Sequence, residues 1–228
     1  MLCIFDVNET LLDLADLDDL FVELTGTAEG RREWFQLMVH TALTVTAAGS
    51  YRNFGQVAAD CLPIIAARHG RTVTETQVRE LGARIRALPA HPDAPGAIER
   101  LRHAGLGVVA LTNSTIDVAE DQLRNAGLRD LIHEIYSADQ VHQLKPGPEP
   151  YRLVLASAHL TPDRATMIAA HDWDIAGAAA AGLRTAFVSR DGRRPLPGDT
   201  APSMVGTDLS AIADELIADS SPSGHPPR

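Results

Sequence analysis

The sequence predicts an α/β fold: a Rossmann-like, doubly wound parallel sheet interrupted by an inserted all-helical cap. Three observations carry that prediction. Residues Leu2 to Phe5 form a continuous apolar run, as in a strand buried on both faces of a parallel sheet. Residues 14–88 read as helix throughout. After residue 89, short apolar strands alternate with helices in units long enough for right-handed crossovers.

Within the insert, Phe54, Val57, Ala58, Cys61, Leu62 and Ile65 recur at helical spacing and predict one buried face. Trp34, Leu37, Met38 and Val45 form a second stripe, and Gly70 closes a helix before "VTETQVRELGARIRAL" starts another. Beyond the insert come the helix "AIERLRHAG", the strand "LGVVALTN" and the helix "VAEDQLRNAG". A weaker strand near "HEIYSA", the loop "QLKPGPEP" and a helix from Tyr151 to His159 follow. Then come the strand "TMIAAH", the helix "DIAGAAAAG", the strand "RTAFVS" and a last helix "LSAIADELIA". The expected organisation is a core of residues 1–13 and 89–218, a helical cap of residues 14–88, and a polar, disordered tail of residues 219–228.

The composition, with 45% hydrophobic residues, is that of a globular protein. A net charge of −10 disfavours nucleic acid as a partner, because phosphates need a basic patch. No apolar run approaches the ~18 residues that span a bilayer, so no membrane partner is expected. The N-terminus lacks a basic n-region, so no signal peptide is expected. Cys3 and Cys61 lie in apolar segments and read as reduced core residues, which points to the cytoplasm.

In an open parallel sheet, ligands bind beyond the carboxyl ends of the strands. At those ends lie Asp6 with Asn8, Glu9 and Thr10, then Thr112-Asn113-Ser114, then Lys145, then His171-Asp172-Trp173-Asp174. Each residue alone has a bland role as a cap or a loop residue. Their gathering at one edge points to a site for a small anionic substrate.

With "FDVNETLLD", "ALTNST", "LKPGPEPY" and "AAHDWDIAGAAAAG" in this order, the chain resembles the haloacid dehalogenase superfamily of hydrolases. The resemblance implies Asp6 as nucleophile, Thr112 as a hydroxyl holding the substrate's anionic group, Lys145 as the cation orienting the nucleophile, and Asp174 as the acid of the last motif. Asn8 and Thr10 fall in the first motif and are carried over as substrate-binding. Most members are magnesium-dependent phosphatases with a second aspartate in the first motif and two acids four residues apart in the last. Here those positions hold Asn8 and Ala170. A departing halide needs neither proton nor metal, so the pattern resembles the 2-haloacid dehalogenase (type II) branch, with no cofactor. Magnesium enters only under a phosphatase alternative.

Trp173 and Asn113 also fit that branch, and by resemblance the Asn113 amide would help hold the halide. Three departures stand out. Asn8 and Glu9 replace a Tyr-Gly pair. Phe35 aligns with the cap arginine that binds halide, leaving Arg31 and Arg32 one turn away. His171 replaces an asparagine, and a share with Asp174 in activating water suits its pKa. The expected activity is dehalogenation of short 2-haloacids through an Asp6 ester. The alternatives are a phosphatase, a hydrolase cleaving another C2–leaving-group bond, or a binding protein that has lost turnover. A homodimer is compatible with all of them.

Overall fold

The computed structural model describes residues 1–198 and 200–220. The six strands form one all-parallel sheet in the order β3-β2-β1-β4-β5-β6. They are β1 (Leu2–Phe5), β2 (Gly107–Thr112), β3 (Glu134–Ser137), β4 (Ala165–Ala169), β5 (Arg184–Val188) and β6 (Met204–Gly206). β1 is central, pairing Leu2 with Gly107 of β2 on one side and with Ala165 of β4 on the other.

Period-two alternation divides the core between the two faces. Leu2 and Ile4 pack with α7 (Pro148–Ala158) and α8 (Asp172–Ala180). Cys3 and Phe5 pack on the opposite face with α5 (Ala94–His103), α6 (Ile116–Asn125) and α9 (Leu209–Ser220). Cys3 and Cys61 are free and buried, and burial pushes the Cys3 thiol up to about 12.

Four helices stand between β1 and α5: α1 (Asp18–Thr25), α2 (Glu29–Ala47), α3 (Phe54–Arg68) and α4 (Glu75–Arg86). The α3 stripe is buried along its length, and the Trp34 indole N–H donates to the Ala58 carbonyl at 2.9 Å, tying α2 to α3. Thr74 and Gln77 close a capping box on α4. Arg86 then bridges α4 to Asp117 and Asp121 of α6. The chain leaves and re-enters the sheet layer side by side, the Asp13 N–H donating to Pro89 O and the His91 N–H to Leu11 O.

Two features differ from the sequence reading. β6 was not foreseen: three residues after a Pro/Gly-rich stretch give too short a period to detect, and pairing with β5 makes the strand. Asp219 and Ser220 close α9 rather than beginning a tail, and residues 221–228 lie outside the described residues. Among the described residues, no helix is long and apolar enough to cross a membrane.

Candidate active site

β1 delivers Asp6 to the carboxyl edge between β2 and β4, where its N–H donates to Ile168 O. The residue is 4% exposed. The Lys145 ammonium donates to Asp6 Oδ1 at 2.9 Å, to Asp174 Oδ2 at 2.6 Å and to the Leu111 carbonyl at 2.9 Å. The Thr10 hydroxyl donates to Asp6 Oδ2 at 2.6 Å and accepts from the Ala170 N–H at 3.0 Å. The Tyr151 hydroxyl donates to Asp174 Oδ1 at 2.6 Å. Lys145 is thus a buried cation between two carboxylates, with all three ammonium protons used.

The electrostatics follow from this arrangement. Burial pushes the Asp6 carboxyl up, but Lys145, His171 and Thr10 outweigh it and hold Asp6 well below the usual carboxylate range. Burial pushes the Lys145 ammonium down, yet Asp174 and Asp6 carry it above its ordinary value. Asp174 goes the other way from Asp6. Its burial, with Asp6 adding, outweighs Lys145 and raises it.

A second charged cluster adjoins the first. Glu9 adopts φ +61°, a left-handed conformation that costs a non-glycine residue roughly 1–2 kcal/mol. Its carboxylate meets His171 Nε2 at 2.9 Å, Arg193 Nη1 at 2.9 Å and Arg31 Nη1 at 3.5 Å. Burial pushes Glu9 up, but His171 and Arg193 bring it to about 2. The His171 ring lies between Phe35 (centroids 5.5 Å apart, 28° between planes) and Trp173 (5.1 Å, 21°). Burial pushes His171 down, but hydrogen bonding and charge from Asp6 and Glu9 raise it to about 9.

The other expected site residues are each held by neighbours. At neutral pH His171 is a cation without a free lone pair, so a part in activating water does not fit this geometry. The Asn113 amide is committed to the Lys145 backbone, accepting from its N–H at 2.8 Å and donating to its carbonyl at 3.4 Å. It therefore fixes the lysine loop. Thr112 Oγ1 accepts from the Ser114 N–H, and Thr10 holds Asp6 rather than opening to substrate. Asn8 is tied to Ser114 and to Gln122. Arg31 is buried against Asp18 and Glu9, and Arg32 is exposed and paired with Glu29. Among the described residues, no arginine pairs with Asp6. Phe35 does face the site, through its stack on His171.

Sequence reasoning missed Tyr151, Gln122 and Arg193. Tyr151 closes the quoted "LKPGPEPY" stretch, six residues after Lys145 in a helix opened by Pro148, and that spacing was the available signal. Arg193 and Gln122 carry no local signal, since only the fold brings them to Glu9 and Asn8.

Two cavities meet at Phe35. One of about 560 Å³ is walled by Trp34, Phe35, Met38, Phe54 and Leu81, with Asn8 and Ser114 also lining it. The other, of about 620 Å³, touches Glu9, Phe35, His171, Trp173 and Arg193.

A magnesium site does not fit these residues. Asn8 is neutral and bonded, position 170 is alanine, and both Asp174 oxygens are taken by Lys145 and Tyr151. Asp172 Oδ1 accepts instead from the Leu196 N–H. Among the described residues, no three His, Cys, Asp or Glu side chains are grouped to hold a metal ion.

An all-parallel sheet thus gathers an acid–lysine–acid triplet at its carboxyl edge, with a helical insert following its first strand. The family model for haloacid dehalogenase-like hydrolases matches residues 1–182, and the chain belongs to that family. It is 28% identical over 191 residues to (S)-2-haloacid dehalogenase 1 of Pseudomonas sp. (strain CBS-3), covering 82% of this chain and 84% of that one. Haloacetate dehalogenase H-2 of Moraxella sp. (strain B) is 24% identical over 191 residues, covering 82% and 85%. Among solved structures, an L-2-haloacid dehalogenase from Xanthobacter autotrophicus with chloropropionic acid covalently bound superposes with a TM-score of 0.88. The identity is 22%, with 95% and 98% of the chains covered, and the likeness extends to the fold.

Proposed function

We propose that the chain is a metal-independent hydrolase that displaces halide from short 2-haloacids. Residues 14–88 act as a cap that closes over the site, and the two free thiols suit the reducing cytoplasm. The observation that carries the reading is a buried Asp6, held ionised by Lys145, with no proton donor at position 8 and no acid at position 170.

One Asp6 carboxylate oxygen attacks C2. The C–O bond forms as the C–halogen bond breaks, and the halide leaves with the bonding pair. N–H groups at the start of α6 receive the substrate carboxylate at the helix N-terminus. Water then adds to the ester carbonyl of Asp6. Asp174, raised above its ordinary range, takes the water proton, giving up one of its contacts to Lys145 or Tyr151 to do so. The acyl C–O bond then breaks, Asp174 gives its proton to the departing C2 oxygen, the 2-hydroxyacid leaves, and the remaining carboxyl proton passes to solvent, so Asp6 is restored as a carboxylate with one oxygen from water. Relatives named for 2-haloacid and haloacetate dehalogenation support this reading.

The test is a screen of haloacids and phosphate monoesters with and without chelator, followed by a single turnover in ¹⁸O water. Halide release that survives the chelator, with label in the Asp6 peptide, is the expected result. Phosphate release restored by magnesium would overturn it.

A further inference from the structure

The apolar cavity of about 560 Å³ is larger than a short acid needs. Its size is that of a pocket for a drug-sized ligand, roughly 300–1,000 Å³. The space exists because two helices of the insert face each other with small residues. α3 presents Gly55, Ala58 and Ala59 to it, and α4 presents Gly82. Val78, Gly82 and Ile85 fall on one face of α4 and all line the cavity. A Cβ added at Gly82 would meet nothing within 4 Å. Gly55 and Gly82 are exposed and mark the mouth, while Trp34, Phe54 and Leu81 are buried and form the inner wall.

The inner end of the cavity meets the reaction site in two places. Asn8, just past Asp6 on the β1 loop, lines it together with Ser114 and Thr115 at the start of α6. Phe54 is shared with a narrow cleft that also touches Asn113, Trp173 and Lys145, whose ammonium is bonded to Asp6. In-line attack by Asp6 puts the halide on the far side of C2, with the carboxylate and the C2 chain flanking the axis. A carboxylate at the first N–H groups of α6, which have no partner within the helix, leaves the chain free to pass Phe54 into the cavity.

The second cavity is the poorer host for hydrocarbon. Glu9, Arg32, Asp191 and Arg193 line it, and a chain there would take charged groups out of water. Along the apolar cavity the charged side chains are Arg79 and Arg86, and these are paired with Glu75 and with Asp117 and Asp121. We propose that this cavity is a subsite for the hydrocarbon chain of a 2-haloacid longer than the short acids above, with the carboxylate at α6 and the chain between α3 and α4. This rests on the dehalogenase reading. Each methylene buried there strengthens binding roughly three- to fourfold. The chain is held equally before and during displacement, so the gain appears in kcat/KM.

The experiment titrates the full chain calorimetrically with octanoate and with propanoate, neither of which carries a halogen to lose. Bromide release is then measured from 2-bromooctanoate and 2-bromopropanoate. Octanoate should bind at least about thirtyfold more tightly than propanoate, and kcat/KM should favour 2-bromooctanoate by a similar factor. Gly82→Phe places a ring in the mouth and should remove at least about tenfold of each preference. Gly82→Ala, which strengthens α4 and adds little volume, should keep both. The chain-length comparison needs no variant, so misfolding of Gly82→Phe leaves the test intact. Equal binding of the two acids, or a folded Gly82→Phe with the wild-type preference, would each overturn the proposal. Bromide release from 2-bromopropanoate alongside such a result would sink the chain subsite alone. Tight octanoate binding by a protein that releases bromide from neither acid would sink the dehalogenase reading and leave the chain subsite standing.

Discussion

The Lys145 cluster and the His171 cluster are both buried and both charged, but they are built differently. In the first, one cation lies between two carboxylates on adjacent strand ends, and every ammonium proton has an acceptor. In the second, one carboxylate, Glu9, lies among three cations, and the second imidazole nitrogen of His171 reaches back to Asp6 at 3.5 Å. A saturated cluster holds a nucleophile still. The second cluster links that nucleophile to the Glu9 turn through one imidazole.

The largest effect should come from the first cluster. Asp6→Asn removes the nucleophile and should lower turnover at least about 10³-fold while the fold persists. A variant keeping a few per cent of wild-type rate would end the covalent mechanism. Lys145→Met strips the cation from two buried carboxylates and should cost roughly 3–5 kcal/mol in urea unfolding. Burial of Asp6 then loses its main opposition, so its pKa rises and the acid limb of kcat/KM moves to higher pH. An unchanged acid limb would mean that His171 and Thr10 alone keep Asp6 ionised.

The two clusters were unequally legible in the sequence. Asp6, Thr10, Lys145 and Asp174 could be found because each follows a strand or sits in a short motif, and a parallel sheet gathers such positions at one edge. The partners of Glu9 come from α2, from the start of α8 and from the loop after β5, segments that share no period or spacing. Glu9 itself stood out only as a misfit where glycine is expected. Its positive φ shows that the backbone kept the glycine-like turn and placed a carboxylate there. The backbone contacts of Asn113 were hidden for a related reason. Composition cannot tell whether an amide faces a ligand or the neighbouring backbone, and here it bonds both backbone groups of Lys145.

Glu9→Gln sharpens the comparison through pH. A histidine raised from 6.5 to about 9 contributes stability that is complete below pH 6.5 and is lost as pH rises through 9. For His171 the whole shift corresponds to about 3 kcal/mol. Unfolding free energies at pH 6, 7.5 and 9.5 should therefore fall in the wild type over that window. The fall should shrink in Glu9→Gln, since one of the two acceptors that raise His171 is gone. A wild-type profile that stays level would show that His171 is neutral, and Glu9 would then be held by its arginines alone.

The smallest effect belongs to the support behind Asp174. Tyr151→Phe leaves Asp174 Oδ1 buried without its 2.6 Å donor and should cost about 2 kcal/mol. It should leave the His171-dependent fall of stability with pH untouched, because the Tyr151 hydroxyl bonds only Asp174. Gly177 on α8 offers a second way to disturb the same hydroxyl. A Cβ there would sit 2.6 Å from both Tyr151 Oη and Pro146 Cβ, closer than packed atoms approach. Gly177→Ala should cost roughly 1–3 kcal/mol by overpacking. Part of that cost is the displaced hydroxyl, which Tyr151→Phe has already removed, so the double variant should cost less than the two singles added. Additivity within about 0.3 kcal/mol would show that the alanine strains only the Pro146 side, and that the tyrosine hydroxyl is free to move away without loosening Asp174.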